Sequence, residues 1–268
     1  MVDCSDSDPG ESLRSRFPGV AFHHFGRKLS IPELRREGIR VATGEIVALT
    51  ESWMTPSRGW VVALRDAHGR SPDVAVVGGP IAFPCEGETA PLLAWADYFS
   101  EYGEHAPGIT TPELLLAENI SGANCSYKRW ALEACRDLIE QAAWEPRIHQ
   151  RLRHGGHRLM RTAAARVCYH KPLRLAELLR QRFHYGRGHG AERVRDSPWI
   201  TRLARGAAAP IVPWVLLGRL WRILRPIPGV RTRFLAATGW ILALNAAWAT
   251  GEAVGAWFGP GDGDPAIF

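Results

Sequence analysis

Strand-length apolar runs alternate with helix-length amphipathic ones along the first two thirds of this chain, and that alternation leaves few architectures open. IVALT (46–50), DVAVVGGPIAF (73–83) and ARVCYH (165–170) read as buried strands. IPELRREGIRVATGE (31–45) gives a helix from Pro32 that closes near Gly38 or continues to Gly44; SRGWVVALRDAHGR (57–70), LLAWADYFSEYG (92–103) and KRWALEACRDLIEQ (128–141) read as helices, and another starts at Pro146. AENISGANCSY (117–127) reads as a strand and loop. The pattern predicts an α/β fold with a mostly parallel sheet and helices on both faces. With 268 residues, 46% of them hydrophobic, the chain can form one large α/β domain (1–171) plus an appendage.

The pattern changes near residue 172. LRLAELLRQRFHYGRGHGAERVR (173–195) predicts a long basic helix, so residues 172–206 read as a lid or linker. Residues 207–268 hold two hydrophobic stretches, AAAPIVPWVLLGRLW (207–221) and FLAATGWILALNAAWATGEAVGAWF (234–258). The first is short for a bilayer and holds two prolines; the second is long enough, with Glu252 near its end. Five arginines (219, 222, 225, 231, 233) lie between them. Two spans would carry that connection to the far side, against the positive-inside tendency. An in-plane or re-entrant hairpin on the cytoplasmic leaflet fits better, then a single span by the second stretch. Two core helices of a soluble dimer fit least, because Trp214, Trp221, Trp240 and Trp248 suit an interface belt.

The net charge of +6 conceals a split. Between Arg147 and Arg233 nineteen Arg and one Lys face three acids, a local +17 that leaves −11 for the remainder. Arginine in such excess over lysine suits bidentate phosphate binding, so anionic lipid, pyrophosphate or nucleic acid are the partner classes. Nucleic acid ranks last, because these arginines are not interleaved with exposed aromatics in a recognisable module. The five cysteines (4, 85, 125, 135, 168) include no CxxC pair. Neither a zinc site nor a disulfide framework is expected, and a reducing cytosol is the default. The polar, proline-interrupted first thirty residues carry no secretory signal.

Six blocks, in order from Val2 to about Arg193, together resemble a family 2 glycosyltransferase of the GT-A fold. VDCSDSD resembles the acidic turn that contacts the nucleotide base, implying Asp3, Ser5 and Asp6. IPELRREGIRVATGEIVALT resembles the run leading to the metal-binding acids, with Arg35 at the family's arginine. AVVGG matches the strand and turn that follow. SGANCSYKRWALE resembles the segment near donor sugar and acceptor, implying Gly122 and Asn124. WEPRIHQRLRHGGHRL matches the block holding the base, implying Glu145. RQRFHYGRG resembles the helix that closes over the pyrophosphate, implying Arg182 and Arg187.

The resemblance implies an inverting transfer from a nucleotide-diphosphate sugar to a lipid-linked or polysaccharide acceptor, at the inner face of the cytoplasmic membrane. Pro146 suits the first helical position and would set Glu145 at the N-cap, where the helix dipole favours a carboxylate. A cap that only completes the helix is the plainer reading. The chain departs from the family twice. It begins downstream of the usual first strand; a start-site or truncation explanation is expected ahead of a shorter, rearranged domain, because a sheet lacking that strand would expose unpaired backbone. Where the family places two or three aspartates for a divalent metal, this chain has Glu51, Ser52 and Trp53. Three alternatives follow. Glu51 holds Mg²⁺ or Mn²⁺ with water, phosphate and His170; or Arg182 and Arg187 clamp the diphosphate instead; or the site is dead and the protein scaffolds an active partner. Trp53 either stacks on a ring of the donor or fills space, and Glu51 as a mere capping acid is the bland reading. Trp144, Ile148 and Leu152 are expected in the core.

Overall fold

The computed structural model describes residues 1–8, 10–85, 87–108, 114–172, 174–195, 197–227 and 229–261. Along the chain run β1 (Val2–Asp3), α1 (Gly10–Arg16), β2 (His23–His24), α2 (Ile31–Val41), β3 (Ile46–Thr50), β4 (Met54–Pro56), α3 (Trp60–Gly69) and β5 (Val74–Gly78). Next come β6 (Ile81–Ala82), α4 (Leu92–Tyr102), β7 (Leu115–Leu116), β8 (Asn124–Lys128), α5 (Arg129–Ala134), α6 (Arg136–Glu140), α7 (Glu145–His154) and β9 (Arg158–Arg161). The chain ends with β10 (Val167–Tyr169), α8 (Leu175–Arg193), α9 (Trp199–Ala207), α10 (Val212–Leu224) and α11 (Val230–Phe258).

Two compact units share these elements. Among the described residues the first comprises 1–80 with 114–167, and the second comprises 81–108 with 168–261. A single boundary near residue 171 therefore misses the excursion at 81–108, whose aromatic helix α4 builds with the C-terminal helices.

In the first unit five strands form a sheet in the order β3-β8-β5-β9-β7. The expected mostly parallel sheet is corrected here: β8 runs antiparallel to both β3 and β5, β7 antiparallel to β9, and the parallel pair is β5 with β9. Helix–strand alternation cannot reveal this, because a helical connection is compatible with a strand returning in either direction. Strand β9 was itself hidden, since Arg158 and Leu159 close the run WEPRIHQRLRHGGHRL that reads as the helix from Pro146. The central strand β5 is buried at every residue, as its unbroken apolar run requires. Val47, Val76, Tyr127, Leu132, Ile148 and Leu152 are among the residues of the core around it. Trp144 is 44% exposed, because it precedes the helix rather than sharing the inward stripe of Ile148 and Leu152.

The second unit is mainly helical. Its aromatic centre holds Phe83, Trp95, Tyr98 and Tyr169, with ring centroids 5.1–6.3 Å apart. The long helices α8 and α11 meet through glycines: Gly186 and Gly190 on α8 oppose the α11 backbone at Trp248 and Glu252, while Gly251 and Gly255 oppose the α8 backbone at Phe183 and Arg187. Two four-residue glycine spacings thus interlock, an arrangement that brings helix backbones unusually close. Cys85 and Cys168, 83 residues apart, form a disulfide, which corrects the expectation of no such bond. Spacing rules see neighbouring cysteines, whereas this pair is made by tertiary contact. Cys4, Cys125 and Cys135 are free and buried.

Candidate active site

Four sequence-predicted residues meet in the first unit. Helix α2 begins after Ser30, whose N–H and hydroxyl both donate to the Glu33 carboxylate at 2.8 Å, and Pro32 occupies the first turn. One turn further, Arg35 turns its guanidinium inward. Its Nη2 donates to Glu51 Oε1 at 2.6 Å, and its Nη1 is paired with Glu145 Oε1. Glu51 stands just past the carboxyl end of β3, held there by a turn in which Met54 N–H donates to the Glu51 carbonyl at 3.0 Å. Glu145 opens α7, with Trp144 as N-cap and Pro146 second, one position further into the helix than the sequence suggests. The dipole argument is unchanged by that shift. Gly122 completes the group: a Cβ there would press on Glu145 Oε1 and the Arg35 guanidinium, so a larger residue would have to displace those side-chain ends.

The three charged side chains are only 12–16% exposed. Below them lies a cavity of about 20 Å³ lined by residues including Arg35, Leu49, Tyr127, Glu145 and Ile148. It admits about one water and no nucleotide. Behind it runs a buried relay missed in sequence: Tyr127 Oη lies 2.8 Å from His149 Nε2, and His149 Nδ1 lies 2.6 Å from Asn119 Oδ1. Burial, with Arg153 and Arg35 nearby, pushes the His149 pKa down to about 3, so its ring is neutral. One signal was visible in the sequence, since His149 follows Glu145 by four residues on α7 and so shares its face.

Other predicted residues lie elsewhere. Asp3 Oδ2 accepts hydrogen bonds from the Ser5 hydroxyl (2.7 Å) and Ser5 N–H (3.2 Å), and lies 3.0 Å from His24 Nδ1. Burial raises the Asp3 pKa, but the bonds from Ser5 and His24 outweigh it and leave it below the ordinary value. Asp6 pairs with Lys28 at 2.6 Å. Strand β1, which carries this turn, touches α2 at Val2 and Gly38. Trp53 is exposed in the turn after β3.

Asn124 is completely buried, and its amide is fully used. Its Oδ1 accepts from Trp60 Nε1 at 2.8 Å, and its Nδ2 donates to the carbonyls of Pro80 (3.2 Å) and Ala165 (2.8 Å). The expectation that it faces donor sugar or acceptor is corrected: it ties three chain segments together.

In the second unit Arg182 is 5% exposed and faces Asp97 and Glu101 at 3.6 and 3.5 Å. Lys171 pairs with both acids, and the Tyr169 hydroxyl donates to Asp97. A guanidinium buried against two carboxylates is a packing element of α4 and α8, which corrects its expected place over a diphosphate. Arg187 Nε donates to the Gly259 carbonyl at 3.1 Å. His170 lies beside Cys85, with Nε2 3.1 Å from its sulfur.

The implied divalent metal does not fit the Glu51 cluster. A hard cation of this kind takes six or more oxygen ligands. Here a guanidinium stands between the two carboxylates, and Ser52 and Trp53 replace the further acids. Glu51 and the other tentative ligand, His170, belong to different units. Among the described residues, the grouping of three or more metal-ligating side chains is Cys85, Cys168 and His170.

No protein-family model matches the chain, and no curated protein matches it. One solved structure similar to it is the mannosyltransferase PcManGT from Pyrobaculum calidifontis in complex with GDP-Man and Mn²⁺, at 18% sequence identity and a TM-score of 0.49. That similarity covers 91% of this chain and 75% of the other. A likeness of this degree identifies neither a family nor a ligand for this chain.

Proposed function

We propose that this chain is an inverting glycosyltransferase, moving a sugar from a nucleoside-diphosphate donor to a hydroxyl of a lipid-linked or polysaccharide acceptor. One observation carries the reading. Arg35 with Glu51, Gly122 and Glu145 were singled out in three separate sequence blocks, and they converge on one cluster. In the reaction Glu145 takes the proton of the acceptor hydroxyl as its oxygen attacks the anomeric carbon, and the nucleoside diphosphate departs with the bonding pair. Arg35 holds Glu145 and Glu51 in register and so positions the base. The 20 Å³ cavity is too small for the donor, which would lie on the solvent side of the cluster.

Membrane attachment is part of the proposal. Helix α11 is long and apolar enough to cross a bilayer, and α9 with α10 forms a bent pair of similar composition. Trp199, Ile200, Leu203, Ile211, Trp214 and Val215 are exposed on that pair, beside Arg202 and Arg205. Apolar side chains flanked by arginines suit an in-plane seat on an anionic cytoplasmic leaflet. Flotation with anionic vesicles tests this, and a protein that stays at the bottom of the gradient removes it.

The catalytic reading is tested by thermal shift with UDP, GDP, CDP and ADP, with and without Mn²⁺, alongside turnover of the matching nucleotide sugars. Glu145→Gln should lower turnover by about 10²–10⁴-fold and leave diphosphate binding intact. A second reading, a non-catalytic partner, is favoured by the commitment of both carboxylates to Arg35. No response to any diphosphate, or full turnover by Glu145→Gln, would decide against the base.

A further inference from the structure

Cys85, Cys168 and His170 come together within the second unit, and what they do is independent of the function proposed for the Glu145 cluster. Cys168 lies on β10 and His170 two residues later, so strand alternation puts both side chains on one face. Cys85 reaches them from the segment after β6, with a Cα–Cα distance to Cys168 of 5.7 Å. The His170 ring sits against the Cys85 sulfur, with Nε2 at 3.1 Å and Nδ1 at 3.5 Å. Glu88 Oε1 stands 3.6 Å from Nδ1. One donor atom from each of the three residues lies within 4.8 Å of the others.

A disulfide alone does not call for an imidazole on its sulfur or a carboxylate behind that imidazole. A zinc site calls for both. Tetrahedral zinc, with bonds of about 2.3 Å to sulfur and about 2.0 Å to nitrogen, holds its sulfur and nitrogen ligands about 3.5 Å apart. The Cys85–His170 separation is already close to that. Zinc-bound histidine usually gives its other ring nitrogen to a carboxylate, the place Glu88 holds.

We propose that Cys85, Cys168 and His170 form a redox-gated zinc site, a disulfide when oxidised and a Cys₂His zinc centre when reduced. A dithiol reductant supplies two electrons and two protons. The S–S bond opens to two thiols, and the reductant closes its own disulfide. Zn²⁺ then displaces both thiol protons to solvent, forming two Zn–S bonds, and His170 binds through neutral Nε2. Water completes the tetrahedron, and Glu88 orients the ring through Nδ1–H. The His170 and Glu88 side chains are 38% and 50% exposed, which gives the ion an entry path. In reducing surroundings the thiol state prevails, so the metal form is the working one there. Either state fastens the segment after β6 to β10.

The test uses the full chain, reduced and freed of reductant, titrated with Co²⁺ as a spectroscopic probe and then with Zn²⁺. One equivalent of Co²⁺ should give intense tetrahedral ligand-field bands and a thiolate charge-transfer band, both abolished by Zn²⁺. The oxidised chain should show neither, and should carry three titratable thiols when denatured against five after reduction. Cys168→Ser and His170→Ala should lose the bands. Glu88→Gln, a change at an exposed position, should weaken binding about 10–100-fold without removing it. Cys135→Ser should bind as the unaltered chain does. Absence of Co²⁺ uptake by the reduced chain, or unchanged bands in Cys168→Ser, overturns the proposal.

Discussion

Gly251→Ala tests how closely α8 and α11 are joined. A Cβ at 251 would lie 1.9 Å from the Phe183 carbonyl oxygen, and one at 255 would lie 2.0 Å from that of Arg187. From the other helix, Cβ atoms at 186 and 190 would lie 2.0 and 2.2 Å from the carbonyl oxygens of Trp248 and Glu252. Carbon contacts are comfortable only near 3.5 Å, so one added methyl must part the helices by about 1.5 Å. Both surfaces are backbone, and no rotamer change can relieve the clash. Overpacking costs about 1–3 kcal/mol, and this geometry belongs at the upper end. Alanine returns about 1 kcal/mol over glycine in a helix. The net loss is about 2 kcal/mol, or about 4–8 °C in Tm for a chain of this size. The control is Gly188→Ala, on the same helix with nothing within 4 Å of the new Cβ. It should gain about 0.5–1 kcal/mol. Urea unfolding in mild detergent, followed by far-UV circular dichroism and by tryptophan emission, measures both. Equal shifts for the two variants would refute the interlocked packing.

Acid should weaken the first unit well before its carboxylates titrate. Burial, with Lys128 adding, pushes the His68 pKa down to about 4, and burial with Arg153 and Arg35 pushes His149 to about 3. Both stay neutral when folded but take protons at about pH 6.5 when unfolded, so stability is full above that value and falls below it. The two together give a loss of as much as about 4 kcal/mol between pH 7.5 and 5; a flat profile from denaturant titrations across that window would contradict neutral buried rings. Arg182→Leu should cost about 3 kcal/mol, the low end for breaking a buried pair, because Lys171 stays beside the buried Asp97 and the half-buried Glu101. Asp97→Asn combined with Arg182→Leu should cost less than Arg182→Leu alone, and simple additivity in a double-mutant cycle would count against the pairing.

Local chemistry determined much of this protein by itself. The apolar run before Glu51 had to be a strand ending at a turn, and Pro146 had to open a helix beside Glu145, because strand period and helix start act over a few residues. Those rules located the carboxylates but left open what they face. Only the tertiary structure placed Arg35 between them, reversed β8 inside the sheet and turned Asn124 and Arg182 inward. It likewise joined Cys85 to Cys168 across 83 residues. The glycine spacings at 186/190 and 251/255 were open to view, yet their meaning depended on which helices would meet. Strand direction, side-chain partners and helix pairing are settled by long-range closure, where many chain paths satisfy the same local pattern and packing chooses among them.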